Sequence, residues 1–233
     1  MHDPDGSACQ PTAHDTASKP RLPITGVVLA GGRSRRMGTD KALLAFADQP
    51  LASRVASVLA EVCSEVMIVA SDAAALDSIA LPPGTRVLAD EVAFQGPLGG
   101  LATALSEAHN EWVFACGVDM PFLCADVVRL LWDEVGRQHV FGRGRHLQIV
   151  MPAGDAGPEP LLSLYRVDCL EAVRRALAEG SRKVADLSEQ VDVFEVPVES
   201  LRAVDPELRT LLNVNTAEDL DSARTLAAEV AKP

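Results

Sequence analysis

The order of apolar segments predicts a three-layer α/β sandwich around a mainly parallel sheet, and three observations carry that expectation. Short apolar runs end in glycine or a polar residue, as strands buried on both faces do. Between them lie stretches in which apolar residues recur at helical spacing. The two kinds of segment alternate from Ile24 to the last twenty residues, and strand, helix, strand is the unit from which parallel sheets are made.

The first strand is read in ITGVVLAGG, starting at Ile24 and stopped by glycines. A helix follows, with Leu51, Val55, Val58, Leu59 and Val62 on one face, and Val66 to Ala70 forms a second buried strand. RVLAD (86–90) is the next strand. Pro97 opens a helix whose apolar face is Leu98, Leu101, Ala102 and Leu105, since proline is well tolerated at the first helical position. WVFACGVDMP (112–121) reads as another buried strand, followed by a helix carrying Val127, Leu130, Leu131 and Val135. Further strands are expected near 147–151 and 192–196, and helices near 168–178 and 217–230.

Before Ile24 the character differs. Residues 1–22 mix Pro, Asp, Ser, Thr and Ala without periodic apolar positions and are expected to form a flexible tail, with a single domain spanning 23–230. A chain of 233 residues, 48% hydrophobic and 23% charged, can bury a sizeable core. No run of about 18 apolar residues and no apolar leader is present, which places the chain in the cytoplasm and away from membranes. A net charge of −12 excludes a broad nucleic-acid surface, because such binding draws on many Lys and Arg contacts to phosphate. The five cysteines, Cys9, Cys63, Cys116, Cys124 and Cys169, are scattered without a C-x-x-C pair and read as buried or idle thiols.

In a sheet of this kind ligands gather beyond the carboxyl ends of the strands, so the loops after Leu29, Ala70, Ala89 and Val118 should converge. The first is LAGGRSRRMGTDK (29–41). Gly31 and Gly32 let backbone come close to a ligand, while Arg33, Arg35, Arg36 and Lys41 put four cations into nine residues of an acidic chain. That pattern fits a polyphosphate, met by backbone N–H groups, a lysine point charge and arginine forks. Neither a P-loop nor a G-x-G-x-x-G fingerprint is present. A plain turn with a solvated basic face is the competing reading.

Asp119 ends a strongly apolar strand, where a bare carboxylate is costly. Mg2+ is a natural partner, since it takes carboxylate and phosphate oxygens; a helix cap or a pair with a loop arginine would also satisfy it. Asp90 closes RVLAD and has either a ribose hydroxyl or a turn to serve. Gly96, Pro97 and Gly99 open a helix whose N-terminus favours an anion or a polar base edge, or else serve close packing.

LAGGRSRRMGTDK (29–41), GPLGGL (96–101), VDMPFL (118–123), EPLLSLY (159–165) and NVNTAEDL (213–220) together resemble the molybdenum cofactor guanylyltransferase family, of the MobA type, over about residues 24 to 225. The resemblance implies a Rossmann-like, mainly parallel sheet of the nucleotide-diphospho-sugar transferase type. It also implies Mg2+-dependent transfer of GMP from GTP to the terminal phosphate of molybdopterin, releasing pyrophosphate. Carried over by position, Leu29, Ala30 and Gly31 meet the nucleotide and Asp90 the nucleoside; Gly32, Ser71, Gly96, Pro97 and Gly99 at the same edge are read as further nucleotide contacts. Lys41 and Arg36 serve the phosphates and Asp119 the metal; Arg182-Lys183-Val184 resembles a basic element near the acceptor phosphate, with a plain helix start after Gly180-Ser181 as the competing reading. Molybdoenzymes or their chaperones are the partners the family implies. Two places depart from its pattern. VMIVASD puts Val69, Ser71 and Asp72 where some members carry a nucleotide-contacting asparagine, and Glu159-Pro160 stands where some have His-Pro. A relative using CTP or another nucleotide with a different phosphorylated acceptor, or a carrier that binds without chemistry, are the alternatives.

Overall fold

The computed structural model describes residues 19–31, 40–90, 96–141, 146–181, 184, 187 and 190–230. In chain order its strands are β1 (Leu22–Ala30), β2 (Ala45–Phe46), β3 (Gln49–Pro50), β4 (Cys63–Ala70), β5 (Arg86–Ala89), β6 (Trp112–Gly117), β7 (Ile149–Gly154), β8 (Gly157–Pro158), β9 (Leu162–Arg166) and β10 (Val193–Pro197). The α-helices are α1 (Leu51–Val62), α2 (Pro97–Glu107), α3 (Ala125–Phe141), α4 (Leu170–Ala178) and α5 (Ala217–Val230).

The main sheet runs β10-β7-β9-β6-β1-β4-β5, with β8 folded back onto β7. Strands β6, β1, β4 and β5 are mutually parallel, and β10 is parallel to β7. β9 is antiparallel to both neighbours, β6 and β7. The sheet is therefore mixed and mostly parallel. β1 is buried on both faces from Ile24 to Ala30, which is why its sequence is continuously apolar rather than alternating.

Successive side chains of β1 feed two separate cores. Ile24 and Val28 join α1, α3 and α5 through Leu51, Val55, Leu59, Val127, Leu131 and Leu220. Val27 and Leu29 join α2 and α4 through Leu98, Leu101, Leu105, Val173 and Ala176. That is the expected three-layer arrangement. Burying one leucine or valine side chain stabilises the fold by about 1.5–3 kcal/mol, so the two cores dominate its energetics.

Several differences separate the sequence reading from the structure, beginning with the short strands β2, β3 and β8, which were not expected. The WVFACGVDMP strand stops at Gly117, because Val118 and Asp119 leave the sheet in a turn. β9 was not expected as a strand at all. β7 and β10 begin one or two residues later than expected, at Ile149 and Val193, and β1 already begins at Leu22, within the stretch read as tail. Of that tail, residues 1–18 lie outside the described residues. The helix expected near 168–178 opens with a 3-10 turn at Val167–Cys169, and Ala217–Val230 matches its expected span. Cys63, Cys116 and Cys169 are buried and all four described cysteines are free; burial pushes the thiols of Cys63 and Cys169 up to about 12, which keeps them protonated and unreactive.

Toward the amino ends of the strands a polar network fastens β1 to its neighbours. The fully buried Thr25 hydroxyl donates to Glu65 Oε2 at 2.6 Å and accepts from Asn110 Nδ2 at 3.1 Å. Arg86 Nη1 donates to Glu65 Oε1 at 2.8 Å, and the His109 backbone N–H donates to Glu65 Oε2 at 3.0 Å. Burial alone would raise the Glu65 carboxyl, but the bonds from Thr25, His109 and Arg86 outweigh it and hold the group below its ordinary range. A depressed folded-state value means that Glu65 contributes stability above the unfolded carboxylate range, and that this contribution is lost as pH falls through the folded value. Glu65→Gln should cost about 1–3 kcal/mol at neutral pH. Its denaturation midpoint should also fall less than that of the wild type between about pH 5 and pH 3. Parallel curves for the two proteins would remove Glu65 from the acid response.

Candidate active site

The parallel register places the ends of four strands side by side. Ala30 pairs with Ala70, Ala70 with Ala89, and Leu29 with Gly117, so the residues that follow share one edge of the sheet. Asp90 N–H continues the ladder to the Ala70 carbonyl at 3.0 Å, and Val118 N–H donates to the Leu29 carbonyl at 3.2 Å. These two bonds fix the stems of the loops before they diverge.

Gly31, Ser71 and Asp90 meet there. A methyl group built on Gly31 would lie 3.5 Å from Ser71 Oγ and 3.9 Å from Asp90 Oδ2, both ordinary contact distances. Among the described residues, no contact at 31 is too close for a side chain. By contrast Gly96 has φ +72° and ψ −166°, a backbone shape only glycine adopts readily, and it delivers the chain into Pro97 at the start of α2. Gly99 is buried within α2, and Gly100 sets the helix close against Leu29 and Val69. Close packing therefore accounts for part of the glycine cluster.

Asp119 stands two residues past the end of β6. Its Oδ2 accepts from Lys41 Nζ at 3.1 Å, bringing together residues 78 apart in sequence. The two side chains are 18% and 24% exposed, so the pair sits in a crevice that is still open to solvent. Lys41 begins a 3-10 turn capped by Asp40, whose Oδ1 accepts from Ala42 N–H at 3.0 Å. The β2–β3 hairpin then returns the chain to α1, and Phe46 in it packs edge-on against Phe122 with ring centres 5.5 Å apart. Both sides of the ion pair are thereby tied to the same aromatic contact.

Gly117 is set by Asp119. A Cβ there would lie 2.4 Å from Asp119 Oδ1, closer than real atoms approach, so a side chain at 117 displaces the carboxylate.

A third partner, Asn215, was not foreseen as a site residue. Its Oδ1 accepts a second hydrogen bond from Lys41 Nζ, at 2.8 Å. The segment is hooked onto the site by Val214 N–H, which donates to the Asp119 carbonyl at 2.8 Å. Behind it, Asp219 Oδ2 accepts from Asn215 N–H and Thr216 N–H at 2.9 and 2.8 Å, while Asp219 N–H donates to Thr216 Oγ1 at 3.1 Å. This reciprocal cap opens α5. Donation from Asn215 N–H first, and Thr216 N–H next, holds the Asp219 carboxyl below its usual range. The T-x-x-D spacing at Thr216–Asp219 is the local signal that could have located this cap; nothing local signals what it points at.

Other expected residues are distributed differently. Leu29 and Ala30 are buried in β1 and can offer a ligand only their backbone. Val69 is buried beneath α2, whereas Ser71 lies beside Gly31, so the polar group at the end of the second strand of the βαβ unit is Ser71. Asp72 Oδ1 accepts from Ala75 N–H at 3.3 Å. Gly32, Arg33, Arg35, Arg36, Arg182 and Lys183 lie outside the described residues, although Val184 and Leu187 beyond the last pair are buried in the α2/α4 core. Among the described residues no three His, Cys, Asp or Glu side chains cluster as a metal site, and no helix is long and apolar enough to cross a membrane.

A three-layer sandwich that gathers a lysine, an aspartate and a glycine-ended strand at the carboxyl edge of its parallel strands is a nucleotidyltransferase fold. The chain belongs to one branch of that class: residues 26–193 match the MobA-like NTP transferase domain family. It is 37% identical over 208 residues to a probable molybdenum cofactor guanylyltransferase of Pelotomaculum thermopropionicum, covering 88% of this chain and 94% of the relative. It is 33% identical over 202 residues to a molybdenum cofactor guanylyltransferase of Desulfosudis oleivorans, covering 86% and 94%. Among solved structures, the molybdopterin-guanine dinucleotide biosynthesis protein A of Archaeoglobus fulgidus superposes with a TM-score of 0.74 at 28% identity, covering 88% of this chain and 99% of that one.

Gly117→Ala should separate Asp119 from Lys41 without unfolding the protein. We expect kcat/KM for nucleotidyl transfer to fall by tenfold or more, equivalent to about 1.4 kcal/mol for each factor of ten, with a small change in melting temperature. Full activity in this variant would show that the carboxylate does not need its observed position.

Proposed function

We propose that this protein is a Mg2+-dependent molybdenum cofactor guanylyltransferase, which transfers GMP from GTP to the terminal phosphate of molybdopterin and releases pyrophosphate. The observation that carries the reading is the meeting of Lys41 and Asp119 at the edge that also holds Gly31, Ser71 and Asp90, in a chain related over most of its length to proteins named for that activity.

Each residue then has work its chemistry suits. Gly31, beside Ser71 and Asp90, leaves its backbone open for the nucleotide to approach. Ser71 and Asp90 offer a hydroxyl and a carboxylate to the nucleoside, Asp90 suiting ribose hydroxyls. Lys41 is a point charge for the triphosphate, with Arg36 assigned beside it by resemblance. Gly96, Pro97 and Gly99 place the N-terminus of α2 on the nucleotide side, and Arg182 and Lys183 serve the acceptor phosphate.

Asp119 fits Mg2+. It is a hard oxygen donor at a strand end, Oδ2 is shared with an exchangeable lysine, and the lack of a three-residue cluster among the described residues agrees with an ion completed by substrate phosphates. When bound, the ion would neutralise charge on the phosphates. The chain's own part is positioning: Asn215 and Asp119 orient the Lys41 ammonium, which lowers the cost of negative charge accumulating on the departing pyrophosphate. The acceptor oxygen bonds to the α-phosphorus as the bond to the bridging oxygen breaks. An ionised phosphate acceptor carries no proton to remove, so no strong general base is needed.

We place the protein in the cytoplasm and read molybdoenzymes or their chaperones as transient partners. The test is transfer with molybdopterin and each nucleoside triphosphate in turn, with Mg2+ present or removed by chelation. GTP should be the preferred donor and chelation should abolish turnover; better turnover with CTP or ATP removes the guanylyl assignment, and GTP binding without pyrophosphate release indicates a carrier. Lys41→Ala and Asp119→Ala should each lose about 2–4 kcal/mol of transition-state stabilisation while remaining folded. A near-normal rate for Asp119→Ala at saturating Mg2+ contradicts the metal assignment.

A further inference from the structure

The strand order β5-β4-β1-β6-β9 sets a sequence of groups along the functional edge: Asp90, Ser71, Gly31, Asp119, and then the turn before β9. Because β9 runs antiparallel to β6, with Cys116 paired to Leu162, the residues preceding β9 lie beside those following β6. Leu161 comes within 3.8 Å of where a Gly117 side chain would stand. Glu159 opens this turn.

The backbone of the turn is anchored on three sides. Glu159 N–H donates to the Pro152 carbonyl at 2.8 Å, and the Glu159 carbonyl accepts from Leu162 N–H at 3.0 Å and from the buried Ser163 hydroxyl at 2.7 Å. The fully buried Tyr165 hydroxyl donates to the Pro160 carbonyl at 2.7 Å. The Glu159 carboxylate, held on this fixed base and only half exposed, makes no hydrogen bond or ion pair with any described residue. Burial raises its carboxyl above the ordinary value, the mark of a group that water serves poorly and no donor replaces.

We propose that Glu159 is a specificity-determining residue for the acceptor, its carboxylate receiving the adjacent N–H and NH2 donors of a 2-amino-4-oxo heterocycle of the pterin kind. The inference rests on the reading that nucleotide occupies the Gly31–Ser71–Asp90 side, which leaves the β9 side of Asp119 for the acceptor. A carboxylate repels phosphate, so it serves the ring rather than the phosphate that reacts. Two parallel N–H bonds to one carboxylate are charge-assisted and directional, which gives selectivity for the ring's amino edge. Guanine carries a similar edge, so the effect must fall on the acceptor and not on GTP.

The experiment compares binding of pterin with that of lumazine, which has an oxo group in place of the 2-amino group, to the full chain with GTP and Mg2+ present, followed by probe fluorescence. The wild type should prefer pterin by on the order of tenfold. Glu159→Gln should lose that preference while its GTP affinity, read separately, stays within about twofold. Equal binding of the two probes by the wild type, no pterin binding, a preference retained in the variant, or a loss confined to GTP affinity each overturn the proposal. The wild-type comparison stands even if the variant fails to fold. A pterin preference without guanylyl transfer would remove the proposed function and leave the role of Glu159 intact; transfer to molybdopterin with no pterin preference would do the reverse.

Discussion

Lys41 and Asp119 hold each other at 3.1 Å, and the surrounding structure is arranged to make that contact unavoidable. An aspartate at the end of a fully buried strand cannot turn inward, and a lysine on a capped turn after a glycine loop has limited reach. Gly117 gives the carboxylate its space, Asn215 takes the lysine's second hydrogen bond, and Val214 ties the asparagine's segment to the aspartate's own carbonyl. Solvent-exposed ion pairs are worth at most about 1 kcal/mol, and partial burial adds a desolvation cost, so this pair is a poor device for stability. Its value lies elsewhere. Under the proposed function each charge is stored beside its opposite, to be released when a triphosphate and a cation take over the two partners.

The charge balance of the whole chain supports the same view. At −12 the protein repels anions at a distance, and screening confines any attraction to about a Debye length, roughly 8 Å at physiological salt. Discrimination therefore depends on short-range geometry. The proposed triphosphate would be favoured only where Lys41 and the backbone at the strand ends face it together, which suits a site selecting one small anion.

Much of this was legible in the sequence, for physical reasons that differ from residue to residue. Asp119 stood out because a carboxylate ending an apolar strand is expensive, and α2 because Pro97 and a glycine mark its start. The two-core layering followed from continuous burial of β1. β9 escaped because LSLYR is short, and its two apolar leucines face one core while Ser163 and Tyr165 face the other, so it shows neither a continuous apolar run nor a clean polar face. Asn215 escaped because its contact with Lys41 spans 174 residues and depends on where α5 docks, which local pattern does not encode. At the end of β4 the departure from the family's asparagine was legible as VMIVASD, and the structure adds that Val69 is core while Ser71, two residues further on, is only partly buried.

Reversal of β9 has a chemical effect that a wholly parallel sheet could not achieve. In parallel strands only the segment after each strand reaches the carboxyl edge, and that segment must usually lead into a helix. An antiparallel strand contributes the segment before it, which here is a proline-containing turn fixed by Ser163 and Tyr165 from within the sheet. The functional edge is thus bounded on one side by the ends of parallel strands and on the other by a turn held through several hydrogen bonds. Such asymmetry suits a transfer reaction: in the proposed reading the donor side would accommodate a long, charged nucleotide, while the rigid side would hold the acceptor at a fixed position relative to Asp119. Orientation of that kind can supply several kcal/mol of a barrier, up to about 7–11, when the reacting atoms are brought into line.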